Sequence, residues 1–425
     1  MTVDKKTKFF DIIISGGGLS GSLMALSLAD LKKADGSLLS IAIVEAVKSP
    51  EGAEQAKAKP LFDDRVLALS HGSAAYLEEV GVWQYLANDA CAISKIDISD
   101  RGHYGKARLE AKEQGVSALG YVIEMALIGK AQLTALSNKP NVQWFCPDKI
   151  TDINWQVTAE GSENHRVEIK LNSEQYLHTS LLLACDGANS ACRKLAGIDI
   201  SHSDYHQVAL ITNVSTEKSH ENKAFERFTE SGPIAMLPLS KLSSRDNTNI
   251  NNDSRCSLVW TMSLEQSESI EKLSDNEFKQ QLELAFGSWL GAITNVGKRD
   301  VYPLVLLQAQ QQTYHRMALI GNASHTIHPI AGQGFNLGLR DVQHMSKLIE
   351  QSLNDEADIG RFSLLNDYSK SRQQDQKQVI ELTDSLVVLF ANDLFPLVVG
   401  RNAGLKVMNY FTPLKNTLVN KLMGY

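Results

Sequence analysis

The sequence predicts an α/β fold: a nucleotide-binding domain built from separated segments, a β-rich insertion and a helical C-terminus. Three observations predict it. Residues 9–44 have the pattern of a strand, a glycine turn, a helix and a second strand, which is a βαβ unit. Residues 150–183 alternate apolar and polar side chains, as antiparallel strands do, and residues 225–239 and 256–262 form a second strand-rich region. A second glycine-rich turn follows the apolar segment 317–320, and helical spacing then runs to about residue 353.

Composition sets the class of protein. The chain has 425 residues, which suggests two or three domains, and a hydrophobic fraction of 43% that excludes a disordered, collagen-like or fibrous chain. Lys and Arg number 42 against 49 Asp and Glu, a formal charge of −7. This charge gives no overall attraction to phosphate backbones, so we expect no nucleic-acid partner.

Cysteines and the N-terminus indicate the compartment. The 5 cysteines are an odd number without a Cys-x-x-Cys pair, so we expect reduced thiols in a cytoplasmic protein. Lysines before the apolar segment 9–31 imitate a signal peptide, but Asp11 and the glycine run 16–18 interrupt its apolar region. No segment reaches the ~20 apolar residues that span a bilayer, so any membrane contact should be peripheral, at the inner face.

Other segments predict the connections between these elements. Apolar spacing predicts helices over 78–87 and 129–136. The stretch 49–59, rich in Ala, Glu and Lys, predicts an exposed connection. The polar run 240–255 cannot bury apolar area and predicts a long hairpin loop inside the β-rich region.

The first glycine turn fits G-x-G-x-x-G over residues 16–21, between a predicted strand and a predicted helix. Gly16 permits the tight turn, Gly18 lets the backbone approach a pyrophosphate, and Gly21 lets helix and strand pack closely. The helix start adds free N–H groups and about half a positive charge. Glu45 ends the second strand, where a carboxylate can accept hydrogen bonds from an adenosine ribose. The pattern predicts a dinucleotide site but does not separate FAD from NAD.

Two later segments favour a flavin. Asp186 and Gly187 follow a predicted strand within 185–193 (CDGANSACR). In the segment 319–341 (LIGNASHTIHPIAGQGFNLGLRD), Gly321 would let the chain turn beneath a ribitol and phosphates. Residues 332–334 then begin a helix whose free amides would stabilise negative charge at N1 and the C2 carbonyl of a reduced flavin.

These segments resemble the flavin motifs of the single-component flavoprotein aromatic hydroxylases, namely an Asp-Gly motif and a Gly-Asp pair followed by Pro-x-x-Gly-Gln-Gly-x-Asn. Segments 62–69, 99–103, 228–238 and 383–402 extend the similarity to the ubiquinone-biosynthesis hydroxylases, over nearly the whole chain. The resemblance implies an FAD-binding Rossmann-like domain of the glutathione-reductase type. An antiparallel β-sheet substrate domain is inserted in it and a helical C-terminus follows, as in p-hydroxybenzoate hydroxylase-like flavoproteins.

We divide the chain accordingly into FAD-binding segments, substrate-domain segments and a C-terminal helical region. The FAD-binding segments are 1–80, 111–200 and 301–353, the substrate-domain segments are 81–110 and 201–300, and the C-terminal region is 354–425. The motifs and the resemblance together predict the following FAD-binding residues: Gly16, Gly18, Gly21, Glu45, Arg65, Asp186, Gly187, Gly321, Asn322, Pro329, Gly332, Gln333, Gly334, Phe335 and Asn336.

Two details of the second flavin motif differ from a simple match. Asn322 replaces the usual aspartate that holds the ribityl hydroxyls, and its amide can still accept and donate hydrogen bonds. This Asn form is itself similar to the branch that acts on octaprenyl-methoxyphenols. His325 and His328 lie three residues apart without a visible third ligand, so we expect a loop-packing role and no metal.

The resemblance implies a monooxygenase that hydroxylates the ring of a polyprenylated phenol in ubiquinone biosynthesis. NAD(P)H would reduce FAD, O2 would add to give a C4a-hydroperoxide, and the electron-rich ring would attack its distal oxygen. No nucleophile or triad is needed, and we assign no catalytic residue. Other ubiquinone-biosynthesis proteins are candidate partners. Since one full dinucleotide fingerprint is present, we expect the nicotinamide to bind transiently.

Two other functions and one structural question stay open. A protein of the same fold could reduce a prenyl lipid, or it could be a non-catalytic flavin-binding scaffold of a quinone-biosynthesis assembly. The apolar stretch that begins at Ser385 is followed by Arg401, Lys406, Lys415 and Lys421. It could form a lid or a membrane-surface patch that admits a polyprenyl tail, or simply helices that pack on the flavin domain.

Overall fold

The structure is a computed structural model that describes residues 8–48, 65–100, 106–158, 165–240, 254–327 and 333–391, with residues 419, 423 and 424. Within these ranges the strands are β1 Lys8–Ser15, β2 Ile41–Val44, β3 Val66–Ser70, β4 Cys91–Ile93, β5 Lys95–Asp100, β6 Lys106–Glu110, β7 Gly120–Glu124, β8 Val142–Phe145, β9 Ile150–Thr158, β10 His165–Leu171, β11 Tyr176–Ala184, β12 Ile200–Thr216, β13 Lys223–Thr229, β14 Gly232–Pro238, β15 Arg255–Ser263, β16 Ile293–Val296, β17 Asp300–Ala309, β18 Thr313–Tyr314, β19 Met317–Leu319 and β20 His325–Thr326. The α-helices are α1 Leu19–Ala29, α2 His71–Glu79, α3 Met125–Leu136, α4 Ala191–Leu195, α5 Leu264–Glu271, α6 Asp275–Phe286, α7 Gln333–Asn354 and α8 Phe362–Ala391.

The first sheet carries the predicted βαβ unit. Its order is β18-β19-β11-β1-β2-β8, and β1 runs parallel to both β2 and β11. Ile12 and Ile14 pack in one buried core, while Ile13 packs in another on the opposite face. Both faces of the strand are covered here, which explains the consecutive apolar residues 12–14, and the predicted unit is confirmed.

Strand β11 pairs with antiparallel and with parallel neighbours, whereas its pattern predicts antiparallel ones. The antiparallel strands predicted over 150–183 are confirmed for β9, β10 and β11, which pair in that order. Strand β11 also pairs in parallel with β1 and β19, so it lies in the centre of the first sheet. Its end, Leu181–Ala184, is fully buried for that reason.

The helix predicted over 78–87 is wrong, whereas the one over 129–136 is confirmed as part of α3. The structure begins α2 earlier because the Ser70 hydroxyl caps it, accepting from the Ser73 N–H. Gly81 follows at a φ of +80°, a conformation that ends the helix. A single 3-10 turn at Trp83–Tyr85 replaces the rest of the predicted helix.

The second sheet has the order β20-β17-β12-β15-β14-β13-β5-β6, with β16 beside β12. One of its faces packs on α6 through a core that includes Phe225, Trp260, Phe278 and Phe286. Strands β14 and β15 pair antiparallel, so the connection 240–255 joins a hairpin as predicted, although 241–253 lie outside the described residues. Strand β17 belongs to this sheet, which therefore extends past the domain boundary expected at residue 300.

The helical C-terminal region begins with α8, which packs on α7 and reaches β13 and β14. The segment 49–59 and the residues from 392 onward, apart from the three noted above, lie outside the described residues, as do the side chains of 382–391. In the part of the chain that the structure describes, no helix is long and apolar enough to cross a membrane.

Candidate active site

Three sequence motifs meet at one edge of the first sheet. They follow the carboxyl ends of the parallel strands β1, β11 and β19, which are adjacent in the sheet. The glycine turn follows Ser15, the Asp-Gly pair follows Ala184, and the second flavin motif follows Leu319. This edge is where open parallel sheets bind nucleotides.

The glycine turn holds its shape through close backbone contacts. Gly16 has a φ of +93° and donates its N–H to the Val44 carbonyl at 2.8 Å. A Cβ on Gly21 would lie 1.8 Å from the Gly16 carbonyl oxygen, so only glycine lets α1 approach the turn. A Cβ on Gly18 would meet no protein atom within 4 Å, which leaves open space at the helix start where a phosphate can approach.

Glu45 lies beneath the turn. Its Oε2 accepts the Gly17 N–H at 2.6 Å, and its Oε1 accepts the Val47 N–H at 2.7 Å. The carboxylate therefore fixes the glycine turn against the end of β2. Each oxygen has a second lone pair that could accept a hydrogen bond from a ribose hydroxyl. The contact between Glu45 and a ribose remains a prediction.

Asp186 presents an unused acceptor. Its Oδ2 accepts the Cys192 N–H at 3.0 Å, whereas its Oδ1 is buried without a hydrogen-bond partner in the described part of the chain. Gly187 follows with a φ of +77° and completes the turn. A buried acceptor beside a glycine turn fits a ligand that carries hydroxyl groups.

Arg193 joins the Asp-Gly segment to the second flavin motif, a role that the sequence did not indicate. The guanidinium is buried, and it donates from Nη1 to the Ala323 carbonyl and from Nη2 to the Ala188 carbonyl, both at 2.7 Å. Its two bonds lock together loops that are 130 residues apart in the chain.

Replacing Arg193 by Met should loosen both motif loops. The buried Ala323 carbonyl and the half-buried Ala188 carbonyl would lose their charged donor, which should lower the free energy of unfolding by about 2–3 kcal/mol and weaken FAD binding. Chemical denaturation and an FAD fluorescence titration would measure both effects. Lys194→Met is the matched control, because Lys194 is the next residue of α4 and is exposed. Equal behaviour of the two variants would contradict the role of Arg193.

The second flavin motif turns at Gly321, whose φ is +59°. Its N–H donates to Asp341 Oδ2 at 2.9 Å, and a Cβ on Gly338 would lie 3.3 Å from its Cα, so α7 packs closely on the turn. Asn322 is exposed at this turn, where a ligand can reach it. Pro329 and Gly332 lie outside the described residues, as does His328.

A buried charge network supports this turn. His325 is fully buried, with its Nε2 at 2.9 Å from Asp341 Oδ2, and Arg372 donates from Nε to Asp341 Oδ1 at 2.6 Å. Burial alone would raise the pKa of Asp341, but Arg372 and His325 stabilise the carboxylate and lower its pKa to about 2. Arg372 also pairs with Asp375 at 2.6 Å. The loop-packing role expected for His325 agrees with its full burial and this bond.

Arg65 lies at the junction of the sheets. Its guanidinium is 5.1 Å from the centre of the Tyr302 ring on β17, and its carbonyl accepts the Met125 N–H at 2.7 Å. A cation–π contact of this kind orients the guanidinium. The predicted contact with the FAD pyrophosphate stays a prediction.

An apolar cavity of about 250 Å³ lies between the second sheet, β3 and the start of α7. The motif residues Gln333, Gly334, Phe335 and Asn336 line it. Asn336 also fastens α7 to β3, since its Oδ1 accepts the Ser70 N–H at 2.9 Å and its Nδ2 donates to the Ala68 carbonyl at 2.8 Å. The flavin motif therefore opens directly into a cavity that has mostly aliphatic walls.

Comparison with known proteins identifies the family. The family model described as FAD binding domain matches residues 10–383. The chain belongs to this family. Ubiquinone hydroxylase UbiL of Rhodospirillum rubrum is 31% identical over 98% of this chain and 90% of its own length. The mitochondrial ubiquinone biosynthesis monooxygenase COQ6 of Danio rerio is 30% identical over 97% of this chain and 90% of its own.

Solved structures confirm the predicted fold class. The p-nitrophenol 4-monooxygenase PnpA of Pseudomonas putida matches with a TM-score of 0.73 and 16% identity, over 98% of both chains. PqsL of Pseudomonas aeruginosa, described as a probable FAD-dependent monooxygenase, matches with a TM-score of 0.72 and 17% identity, over 94% of this chain and 100% of its own.

The family and the geometry agree on the cofactor. The open space at Gly18 and the unused acceptor of Asp186 fit the phosphates and hydroxyls of FAD. The predictions of FAD as the cofactor and of an NAD(P)H-dependent flavoprotein monooxygenase are confirmed. The individual contacts predicted for each residue remain predictions. The structure brings the glycine turn at 16–21, the Asp186–Gly187 pair and the turn at Gly321 to one edge of the sheet.

Proposed function

We propose that this protein hydroxylates the aromatic ring of a polyprenylated methoxyphenol in ubiquinone biosynthesis, with NAD(P)H and O2 as co-substrates. The observation that carries the proposal is the apolar cavity that the flavin motif opens into, since an aromatic ring needs an apolar site beside the flavin. The names of the relatives that match nearly the whole chain support the same pathway.

The following residues would bind FAD and the substrate. The glycine turn at 16–21 and the start of α1 would hold the pyrophosphate, and Asp186 and Asn322 would receive the ribityl hydroxyls. The start of α7 would direct amides at the negative charge of the reduced cofactor. Bound FAD would supply the chemistry that activates O2. The aliphatic cavity walls would exclude water from the reacting ring.

The length of a polyprenyl tail bears on how the enzyme would meet its substrate. A polyprenyl tail is far longer than a cavity of about 250 Å³ can hold, so the tail must leave the cavity. We include in the proposal a peripheral contact with the inner face of the membrane, where such tails dissolve, and contacts with other ubiquinone-biosynthesis proteins. The apolar stretch from Ser385, expected to form a lid, a membrane patch or packed helices, falls where side chains are not described.

Anaerobic reduction of the purified holoenzyme tests the function. NADH and NADPH are each added with a short-tailed 2-methoxyphenol, with its O-methyl ether, or alone, and air is then admitted. We expect the phenol to speed up FAD reduction and to yield a hydroxylated product with matching O2 consumption. FAD that is reduced but gives no product with any phenol would favour a reductase of the same fold. FAD that no nicotinamide reduces would favour a scaffold.

A further inference from the structure

A carboxylate interrupts the aliphatic wall of the cavity. Glu226 lies in the middle of β13, where the register pairs it with Ile98 of β5 and Ala235 of β14. The same row continues through Val259 of β15 and Ile211 of β12. Glu226 and the last three residues of this row line the cavity, on the sheet face opposite the α6 core. Among the described residues that line the cavity, Glu226 is the single ionisable one.

Among the described residues, the Glu226 carboxylate has no hydrogen-bonding or ion-pairing partner. Burial raises the pKa of Glu226 from 4.5 to about 7. Glu226 is half-buried and its carboxylate faces a cavity with mostly aliphatic walls, which makes it a candidate functional group.

The charged groups on the elements packed against β13 have other positions or partners. On β5, Asp97 lies on the other face of the sheet and pairs with Arg108 at 2.8 Å. Asp100 lies on the cavity side of the sheet, two residues along β5 from Ile98, which is opposite Glu226 in the strand register. The next residue, Arg227, lies over the Trp289 ring. Strand β14 carries no ionisable side chain, and on α8 Lys377 pairs with the exposed Glu381.

We propose that Glu226 is the general base of the hydroxylation, a catalytic residue that accepts the proton of the substrate's phenolic hydroxyl. This role rests on the proposed function and names the residue that carries part of it. The site that holds an aromatic ring beside the flavin motif has one proton acceptor among its described walls, and that acceptor is Glu226. A base whose pKa lies near the working pH exchanges protons most effectively.

The proton transfer balances without a further reactant. The phenolic O–H bond breaks, the proton goes to a carboxylate oxygen of Glu226, and the electron pair remains on the phenolate oxygen. The added negative charge raises the electron density of the ring carbons that attack oxygen. One oxygen atom of O2 would be transferred to the ring carbon as a hydroxyl group, and the C–H proton of that carbon would pass to the other oxygen atom, which leaves as water with the two electrons that NAD(P)H supplies. Glu226 would then return its own proton to the phenolate oxygen, so the base is regenerated.

Glu226→Gln removes the proton acceptor and keeps the size of the side chain, so it tests the role as a base without changing the shape of the cavity. In the holoenzyme we expect reduction of FAD by NAD(P)H within about twofold of the wild type, but hydroxylation of a short-tailed 2-methoxyphenol slower by about 10²–10⁴-fold. The wild-type hydroxylation rate should fall as the pH drops through about 7, because Glu226 becomes protonated, and this acidic limb should vanish in the variant. Glu110→Gln is the matched control, because Glu110 pairs with Lys95 at the edge of the same sheet.

A second measurement needs no turnover and can be made on the wild-type holoenzyme alone. Infrared spectra of the wild-type holoenzyme across pH 5 to 9 should show one protonated carboxyl band that disappears near pH 7, and a folded E226Q protein should lack it. Wild-type protein without such a band would overturn the role of Glu226. So would an E226Q protein whose hydroxylation and pH profile match the wild type. A wild type that hydroxylates no phenol would overturn the proposed function itself, and this role with it.

Discussion

Gly21→Ala should yield protein that does not retain FAD and that unfolds more easily than the wild type by at least about 3 kcal/mol. The added Cβ would lie 1.8 Å from the Gly16 carbonyl oxygen and 3.0 Å from the Gly16 carbonyl carbon. The obstacle is backbone, so no side chain can rotate away to relieve the overlap. Either α1 must move off the sheet or the glycine turn must open, and both changes destroy the phosphate site.

Gly18→Ala is the matched control, because the same added methyl group meets no protein atom within 4 Å. Gly18 has a φ of −66°, which alanine adopts without strain. This variant should keep the stability of the apoprotein and still lose FAD affinity, because its Cβ would enter the space left for the phosphates. Chemical denaturation of the apoproteins and the FAD content after purification measure the two effects. A G21A protein with normal stability and a full complement of FAD would contradict the proposed packing role of Gly21.

Local signals in the sequence predicted the parts of the site that depend on neighbouring residues. The strand at 9–15, its glycine turn and the carboxylate at Glu45 lie within 37 residues, and their chemistry requires glycine and an acid at set positions. The same holds for Asp186 and Gly321, each of which lies two residues past the end of a strand. The helix over 78–87 was wrong because apolar spacing extends past the real helix, which the Ser70 cap starts earlier and Gly81 ends.

Long-range pairing explains what the sequence did not reveal. Glu226 stands among alternating strand residues and looks like an outward-facing charge until the register places it in an aliphatic row. Arg372 lies in a polar stretch of α8, 31 residues from its partner Asp341, and no motif marks it. In the sequence, Arg372 could be recognised only as an arginine on the helix that follows α7, with nothing to indicate that it pairs with Asp341. Such contacts depend on how helices pack on a sheet, which apolar periodicity does not specify.

Asp341→Ala should lower the free energy of unfolding by about 3–5 kcal/mol, since it leaves the Arg372 guanidinium buried and partly unpaired. The carboxylate accepts hydrogen bonds from Gly321, His325 and Arg372, so the flavin-motif turn would lose its support as well. Denaturation curves and FAD affinity should both change. Asp375→Ala is the comparison, because Asp375 pairs with both Arg372 and Arg340 from a partly exposed position, and its loss should cost less than the loss of the fully buried Asp341.

Acid titration and a double substitution separate charge from packing at this site. Asp341 has a folded-state pKa of about 2, below its ordinary value of 3.8. Its ionised form therefore adds stability above about pH 4, and that stability is lost as the pH falls toward 2. The stability difference between wild type and Asp341→Asn should shrink over this window. The double variant D341L/R372M should be more stable than D341A, because no lone charge stays buried. Equal stability of D341A and wild type at pH 7 would show that the ion pair contributes nothing to the fold.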